Sequence, residues 1–441
     1  DRNVVVGTNA LGADTQGSRN VAVGYDSLKT QNFTTGTNAY NVGVGYNTGA
    51  AITTGTQNSI LGGEAGSSLT TGGDNAAFGY QSLRDDTLGS HSVALGPRAL
   101  KFQNFTTATD AYNTAVGSSA GLNVSTGIHN VLLGGLAGDQ LTDADFNIAI
   151  GVSALGADTQ GSRSVAIGKA ALENQNFSTA TISNNTAVGY EAGNDITTGV
   201  QNTLIGSGAG DKLTDSSFNT AVGIAALGAD TLGSRSTAIG RSALTVQNFT
   251  TATDTYNTAV GFNAGASVTT ATGSTLLGGL AGDAITDGNN NTCVGYAAGG
   301  AITTGAKNVV VGAIAGDSMQ TGEENTLVGF SAGGNLNITG DNNTAIGSRA
   351  GDNLSSGGNN LLLGRDAGVT GSPGGNITGS NSNTVVLGDE NISSFNCQVA
   401  LTVASDERDK TDFVDLDLGL DFVKALEPVT YYWDKRSKYG D

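Results

Sequence analysis

A short motif of polar, apolar and small residues repeats along almost the whole chain. It reads N-x-(A/V/L)-(V/I/L)-G-x-x-A, with some variation, and occurs in 22 copies between Asn3 and Asn383, mostly with a 17-residue period. The residue before the glycine is Val, Ile, Leu or, once, Phe78, and β-branched and apolar side chains favour a short buried strand. Helical spacing is absent until the C-terminus. The pattern therefore predicts one strand in each copy and an all-β rod.

Two further positions of the motif, compared across its copies as columns, indicate a tight interior. Glycine stands four positions after the leading residue from Gly7 to Gly364, as expected where the backbone turns or is approached closely. Three residues later the chain carries Ala, Ser or Thr in every copy but the last. The leading Asn can bond neighbouring backbone, adopt left-handed geometry or stack in ladders between coils. These columns predict thin coils with small interior residues.

A longer period is superimposed on the short one. Asn41, Asn113, Asn185 and Asn257 recur with a 72-residue period, because the copy before each of them carries a four-residue insertion. Four coils thus make one larger unit. A coil of this length cannot bury its apolar face alone and must stack on its neighbours. At about 4.8 Å for each strand, such a stack predicts a rod on the order of 100 Å long.

Composition and charge exclude several classes of function. Glycine accounts for 68 of the 441 residues, and the formal net charge of −19 disfavours a nucleic-acid partner. No apolar run approaches the roughly 20 residues that span a bilayer, so we expect no membrane insertion. Cys293 and Cys397 are the only cysteines and provide neither a metal cluster nor a disulfide framework. We therefore expect no cofactor and no metal.

The repeat has a close parallel in a known family. Ser164–Ala171 reads S-V-A-I-G-K-A-A, which resembles the S-V-A-I-G-x-x-A head repeat of trimeric autotransporter adhesins. The resemblance extends from about Asn3 to Asn383, although the repeats here are longer. It implies a left-handed β-roll with three chains around one axis, hence a parallel homotrimer. Two architectures stay open, a β-roll or β-solenoid and an intertwined β-prism.

The pattern divides the chain into three segments. Residues 1–388 form the repeat rod, residues 389–404 a terminal strand (Val399–Val403) with a linker, and residues 405–441 a segment in which charges crowd together and glycine is rare. The chain begins in mid-pattern, so we expect it to be part of a longer protein.

The last segment carries three motifs in a fixed order. They are S-D-E-R-D-K at Ser405–Lys410, G-L-D-F at Gly419–Phe422 and P-V-T-Y-Y-W at Pro428–Trp433. They resemble the endosialidase-type intramolecular chaperone, a self-cleaving serine peptidase family found at the ends of phage fibres and tailspikes. The resemblance implies a helix at G-L-D-F within a small α+β domain, most of which lies beyond Asp441.

The same resemblance assigns chemistry to the first motif. It implies that Ser405 is the nucleophile, that Lys410 is its base and that the Ala404–Ser405 bond is cut. Asp406 and Arg408 would support this dyad. A serine hydroxyl needs such a base, and a lysine becomes one when burial or nearby cations lower its pKa. The alternative is an exposed turn in which Ser405 caps a helix.

Aromatic and acidic residues also recur with the 72-residue period. The longer copies carry Gln-Asn-Phe, and tyrosines follow seven residues later in three of them. Exposed rings would suit a glycan receptor, whereas packing of the loop onto the rod is the alternative. The acidic pairs would suit calcium around a trimer, and solvated turns are the preferred interpretation. The phenylalanines are Phe33, Phe105, Phe177 and Phe249, the tyrosines Tyr40, Tyr112 and Tyr256, and the acidic pairs Asp139/Asp143, Asp211/Asp215 and Asp283/Asp287.

These features together predict a phage tail fibre, an extracellular virion protein that attaches to the host. Its partners would be its own copies, other virion tail proteins and a glycan or protein receptor on the host surface. An alternative is a cell-surface adhesin of a bacterium or alga with the same chaperone domain. A polysaccharide depolymerase would need a carboxylate pair in a groove, and no such pair recurs at a groove-like place.

Overall fold

The repeats stack into one long parallel sheet. The structure, a computed structural model, describes residues 2–369, 377, 379–398 and 420–426. In this part of the chain, 22 three-residue strands follow one another in the sheet. Their bounds are Val4–Val6, Val21–Val23, Val42–Val44, Ser59–Leu61, Ala76–Phe78, Val93–Leu95, Thr114–Val116, Val131–Leu133, Ile148–Ile150, Val165–Ile167, Thr186–Val188, Thr203–Ile205, Thr220–Val222, Thr237–Ile239, Thr258–Val260, Thr275–Leu277, Thr292–Val294, Val309–Val311, Thr326–Val328, Thr344–Ile346, Leu361–Leu363 and Val385–Leu387.

The register is fixed by the repeat. Thr186, Ala187 and Val188 pair with the first, second and third residues of the strands in the coils before and after them. The longer coils leave this register unchanged, because their extra residues lie outside the strands of the long sheet. Each described strand pairs with strands of its own chain, so the rod is an all-β parallel β-solenoid and the intertwined β-prism is not the architecture. The sequence-based prediction of a repetitive β-rod is confirmed.

Eight strands of two residues form four small sheets at the longer period. Each sheet pairs one coil with the inserted segment of the next, as Gly161–Ser162 pairs with Thr181–Ile182. The others are Gly17–Ser18, Thr37–Asn38, Gly89–Ser90, Thr109–Asp110, Gly233–Ser234 and Thr253–Asp254. The 72-residue period is thus visible in the structure as an equivalent small sheet in every fourth coil.

The interior is built from small residues and one or two larger apolar side chains per coil, and Leu204 and Leu213 are an example of two in one coil. The middle strand residue points inward, as Ala166 and Ala187 do, and the small residue three positions after the glycine is also buried, as at Ala192. A leucine or isoleucine, such as Leu172 or Ile196, fills the remaining space. The sequence had placed the residue before the glycine in the buried part of the strand. That prediction is wrong, because alternation along three residues turns the first and third side chains outward.

The leading asparagines form a ladder inside the rod. Oδ1 of Asn113 accepts a hydrogen bond from the backbone N–H of Asn130 at 2.9 Å, while its Nδ2 donates to the carbonyl oxygen of Gly127 at 2.7 Å. Asn130 repeats both contacts one coil further on. Each side chain therefore satisfies backbone groups that the narrow coil would otherwise bury without partners. Two of the roles predicted for these asparagines, ladder stacking and backbone bonding, are confirmed.

The residue before each ladder position has a left-handed backbone conformation, as Tyr112 does with φ 50°. In the last copy this residue is Asn383, with φ 56°. Thr384 takes the ladder position there, since its backbone N–H donates to Oδ1 of Asn360 at 3.0 Å. The last copy therefore begins one residue later than the motif suggested.

The chain divides into two compact units, Asp1–Asn391 and Ile392–Asp441. The first contains the solenoid. In the second, the described residues include one helix, Leu420–Ala425, with Asp421 in its first turn and Lys424 in its last, both favourable to the helix dipole. This helix lies where the G-L-D-F motif predicted one. The strand predicted at Val399–Val403 lies outside the described residues.

Candidate functional site

The predicted peptidase residues fall in the segment that the structure does not describe. Ala404, Ser405, Asp406, Arg408 and Lys410 all lie between residues 399 and 419. Their proximity to one another and their roles in cleavage stay predictions from the sequence.

The four phenylalanines of the inserted segments are buried. Phe33, Phe105, Phe177 and Phe249 are 4–6% exposed. The backbone explains this: the N–H of Phe177 donates to Asp158 at 3.2 Å, and its carbonyl oxygen accepts a hydrogen bond from Thr159 Oγ1 at 2.7 Å. The burial favours packing onto the rod, and receptor contact by these rings stays an untested prediction.

The inserted segment also delivers a glutamine into the interior. Nε2 of Gln175 donates to Oδ2 of Asp158 at 2.5 Å and to Oγ of Ser164 at 2.9 Å, and its Oε1 accepts from Nδ2 of Asn185 at 2.8 Å. The glutamine thus links a buried aspartate to the side-chain amide of the next ladder asparagine. The same set recurs at Asp86, Gln103, Ser92 and Asn113 and at Asp230, Gln247, Ser236 and Asn257. A fourth set, Asp14, Gln31 and Asn41, has Asn20 in place of the serine. We call each set an Asp–Gln–Asn network.

The network holds a carboxylate inside the rod. Burial raises the pKa of Asp158 above its ordinary value, while the hydrogen bonds from Gln175 and from the backbone N–H groups of Phe177 and Gly161 oppose the rise. Burial likewise raises the pKa of Asp86 and of Asp230. Sequence analysis missed these residues. Their signal was the 72-residue spacing of the aspartates and the 17-residue interval between each aspartate and its glutamine.

These buried carboxyls predict a solenoid that is more stable in mild acid. A group whose folded pKa is raised contributes stability that is complete below its unfolded value of 3.8 and is lost as the pH rises through the folded pKa. Burial also raises the pKa of the partly buried Asp139, Asp211 and Asp283. We expect the urea midpoint to fall as the pH is raised from about 4 to 7. A midpoint that rises over this range would contradict the assignment.

One of the exposed tyrosines, Tyr112, belongs to a column of stacked rings. Tyr112 is 51% exposed, yet His91 stacks on one of its faces at 4.9 Å between ring centroids and His129 on the other at 5.6 Å. Phe146 extends the stack beyond His129 at 5.0 Å. Sugar stacking needs an open ring face. Because both faces of Tyr112 are occupied, water reaches mainly its edge, and the geometry does not favour glycan stacking there.

The recurring acidic turns are bonded within the protein. Oδ1 of Asp215 accepts hydrogen bonds from the hydroxyls of Thr197 at 2.6 Å and Thr198 at 2.8 Å, and these bonds lower the pKa of its carboxyl. In the part of the chain that the structure describes, no group of three or more His, Cys, Asp or Glu side chains is placed to hold a metal ion.

Burial raises the pKa of the Cys293 thiol to about 12, so it is an unreactive core residue. No helix among the described residues has the length and apolar content needed to cross a bilayer.

The fold defines a parallel β-solenoid repeat protein, and one comparison adds a family at its C-terminus. Residues 405–441 match the family described as chaperone of endosialidase. The match begins at Ser405, includes all three C-terminal motifs and supports the resemblance seen in the sequence. No curated protein and no solved structure matches the chain.

Proposed function

We propose that this chain is the shaft of a phage tail fibre, which assembles as a parallel homotrimer and attaches the virion to its host. The observation that carries the proposal is the order of its parts. A solenoid of 22 stacked strands is followed by a segment that matches the chaperone of endosialidase. A long solenoid of nearly identical coils can pair out of register, and a domain that aligns three chains at one end would prevent this.

The chaperone segment would then remove itself. In the proposed reaction Lys410 takes the proton of the Ser405 hydroxyl, and Oγ attacks the carbonyl carbon of Ala404. The C–N bond breaks and the nitrogen of Ser405 takes a proton, which leaves an ester between the two residues. Water hydrolyses this ester to a carboxylate at Ala404 and a free Ser405 hydroxyl. Release would trap the fibre kinetically, because the domain that lowered its folding barrier has left.

Expression of the complete open reading frame tests this proposal. We expect the wild type to yield an oligomer whose chains end at Ala404, measured by intact mass and by light scattering. Ser405→Ala and Lys410→Ala should remain uncut and trimeric, since the nucleophile or its base is missing. Lys424→Ala, which changes an exposed lysine in the helix, should be cut like the wild type.

Two results would count against the proposal. Release of the same fragment from Ser405→Ala would assign cleavage to an outside protease, and a folded wild-type monomer would exclude the trimer. The alternative, a cell-surface adhesin, is distinguished by the ends of the open reading frame. A baseplate-attachment domain favours the fibre, and a signal peptide with a membrane anchor favours the adhesin.

A further inference from the structure

One surface of the solenoid carries no charge along its whole length. We define the sheet face as the outward first and third residues of the 22 strands, for example Thr203 and Ile205. Every one of these positions is at least partly exposed, and every one is Val, Ile, Leu, Thr, Ala, Ser or Phe. Charged residues make up 13% of the whole chain, yet none stands on this face. An exposed β-sheet face without any is typical of a surface that another molecule covers.

Another strand surface of the solenoid does carry charge. The small sheets expose one side chain at the end of each inserted strand, and this equivalent position holds Asn38, Asp110, Ile182 and Asp254. A charged residue is therefore accepted where a strand of this solenoid faces water. The chain also has 39 acidic and 20 basic residues to place, and it places none on the sheet face.

The sheet face falls within the range of stable interfaces, which is roughly 600–1,000 Å² for each partner. At about 4.8 Å between strands and about 7 Å between the first and third residues, it covers on the order of 700 Å². The residue that follows the motif glycine is in several coils an exposed aromatic residue, and these rings widen the sheet face on one side. A stable interface buries about 800 Å² of each partner. These rings are Tyr25, Tyr46, Tyr80, Tyr190, Phe262, Tyr296 and Phe330, between 49% and 61% exposed.

The net charge of the chain and the spacing of its coils both favour a second copy of this chain as the molecule that covers the sheet face. Two chains of net charge −19 repel one another, so copies of this chain approach most easily along a strip that has no acidic side chain. A second copy in parallel also has the same rise per coil, so it matches every strand of the face. A globular partner would cover only a part of it.

We propose that the sheet face is the lateral contact surface between copies of this chain. The strands are hydrogen-bonded within each solenoid, so the copies pack side chain against side chain and exchange no strands. This inference rests on the trimer of the proposed function and names the surface that would form it. The threonine and valine side chains on the sheet face of one copy would pack against those of the next copy around the shared axis.

Charge substitutions in the complete protein test this choice of surface. The test variant is Ile205→Asp with Ile239→Asp, two sheet-face residues that are 40% and 38% exposed. The control is Ile182→Asp with Val246→Asp, which are 54% and 42% exposed and lie off the sheet face. Buried unpaired carboxylates should raise the dissociation constant at least about 100-fold for the test variant. Sedimentation equilibrium should show monomers for the test variant and wild-type oligomers for the control, with circular dichroism unchanged in both.

The outcomes separate the two proposals. A monomeric wild type contradicts the proposed trimer, whereas a wild-type oligomer that the test variant leaves intact overturns only the sheet face. Equal dissociation of test and control variants also overturns it, because the effect would not depend on position.

A cross-linking measurement covers the case in which the charged variant does not fold. Ile205→Cys and Ile182→Cys, each made together with Cys397→Ser, conserve an apolar side chain of moderate size. We expect oxidation to link chains through position 205 and not through position 182 on a non-reducing gel. Links at position 182 alone would overturn the proposal.

Discussion

Replacement of Gly134 by alanine is expected to lower the free energy of unfolding by about 3 kcal/mol or more. Gly134 has φ +141°, and a Cβ built on it would lie 2.5 Å from the carbonyl oxygen of Gly151 in the next coil. That oxygen belongs to the backbone of an equivalent glycine. Relief of the clash therefore requires the two coils to separate, which breaks the close stacking of the ladder.

The neighbouring glycine provides the control for this change. Gly135 has no positive φ, and the atom nearest to its built Cβ is the carbonyl oxygen of Ser118 at 4.0 Å. Gly135→Ala should change the free energy of unfolding by less than about 0.5 kcal/mol. Urea unfolding of both variants measures the difference. Similar values for the two would contradict the prediction, because the close approach of the coils at Gly134 would then not limit the residue at this position.

The damage from Gly134→Ala should stay close to its own coil. In a solenoid each coil contacts only the coils before and after it, so stability is the sum of local terms. Hydrogen exchange should therefore lose protection around Val131–Leu133 and Ile148–Ile150, and keep it in coils further along the rod.

The sequence predicted the rod well because its main signal is a period. Twenty-two copies at nearly constant spacing leave few ways to bury the apolar residues, and the glycine column marks the close approach of the coils. Period alone does not identify which strand residue points inward. A three-residue strand such as Thr186–Val188 contains less than two full alternations, so valine beside a glycine fits either face. Its exposure followed only from the structure.

The functional residues likewise divide into those that the sequence predicted and those that it did not. The motifs after Ser405 predicted a family and were supported by the family match. The Asp–Gln–Asn networks were missed because a polar residue in an inserted segment usually faces water. Asp158 and Gln175 are one 17-residue period apart along the chain, and only the stacking of coils brings them together in the interior.

Replacement of Gln175 by alanine is the sharpest test of that network. The variant loses hydrogen bonds to Asp158, Ser164 and Asn185 and leaves a buried carboxylate oxygen and an amide without their partner. We expect the free energy of unfolding at pH 7 to fall by about 3–5 kcal/mol. Gln140 is the matched control, since it is exposed and its side chain bonds to Asp139 and Asn123 at the surface. Gln140→Ala should cost less than about 0.5 kcal/mol.

The pH dependence distinguishes loss of the network from loss of packing alone. Gln175 opposes the rise that burial causes in the pKa of Asp158, so its removal should raise this pKa further. Ionised Asp158 is then less stable in the folded chain, and the loss from Gln175→Ala should be larger at pH 7 than at pH 4. Urea unfolding at the two pH values measures this difference. Gln103→Ala and Gln247→Ala should show the same pH dependence, and their losses should add to that of Gln175→Ala because these networks are four coils apart. An equal loss at both pH values would mean that the glutamine only fills space.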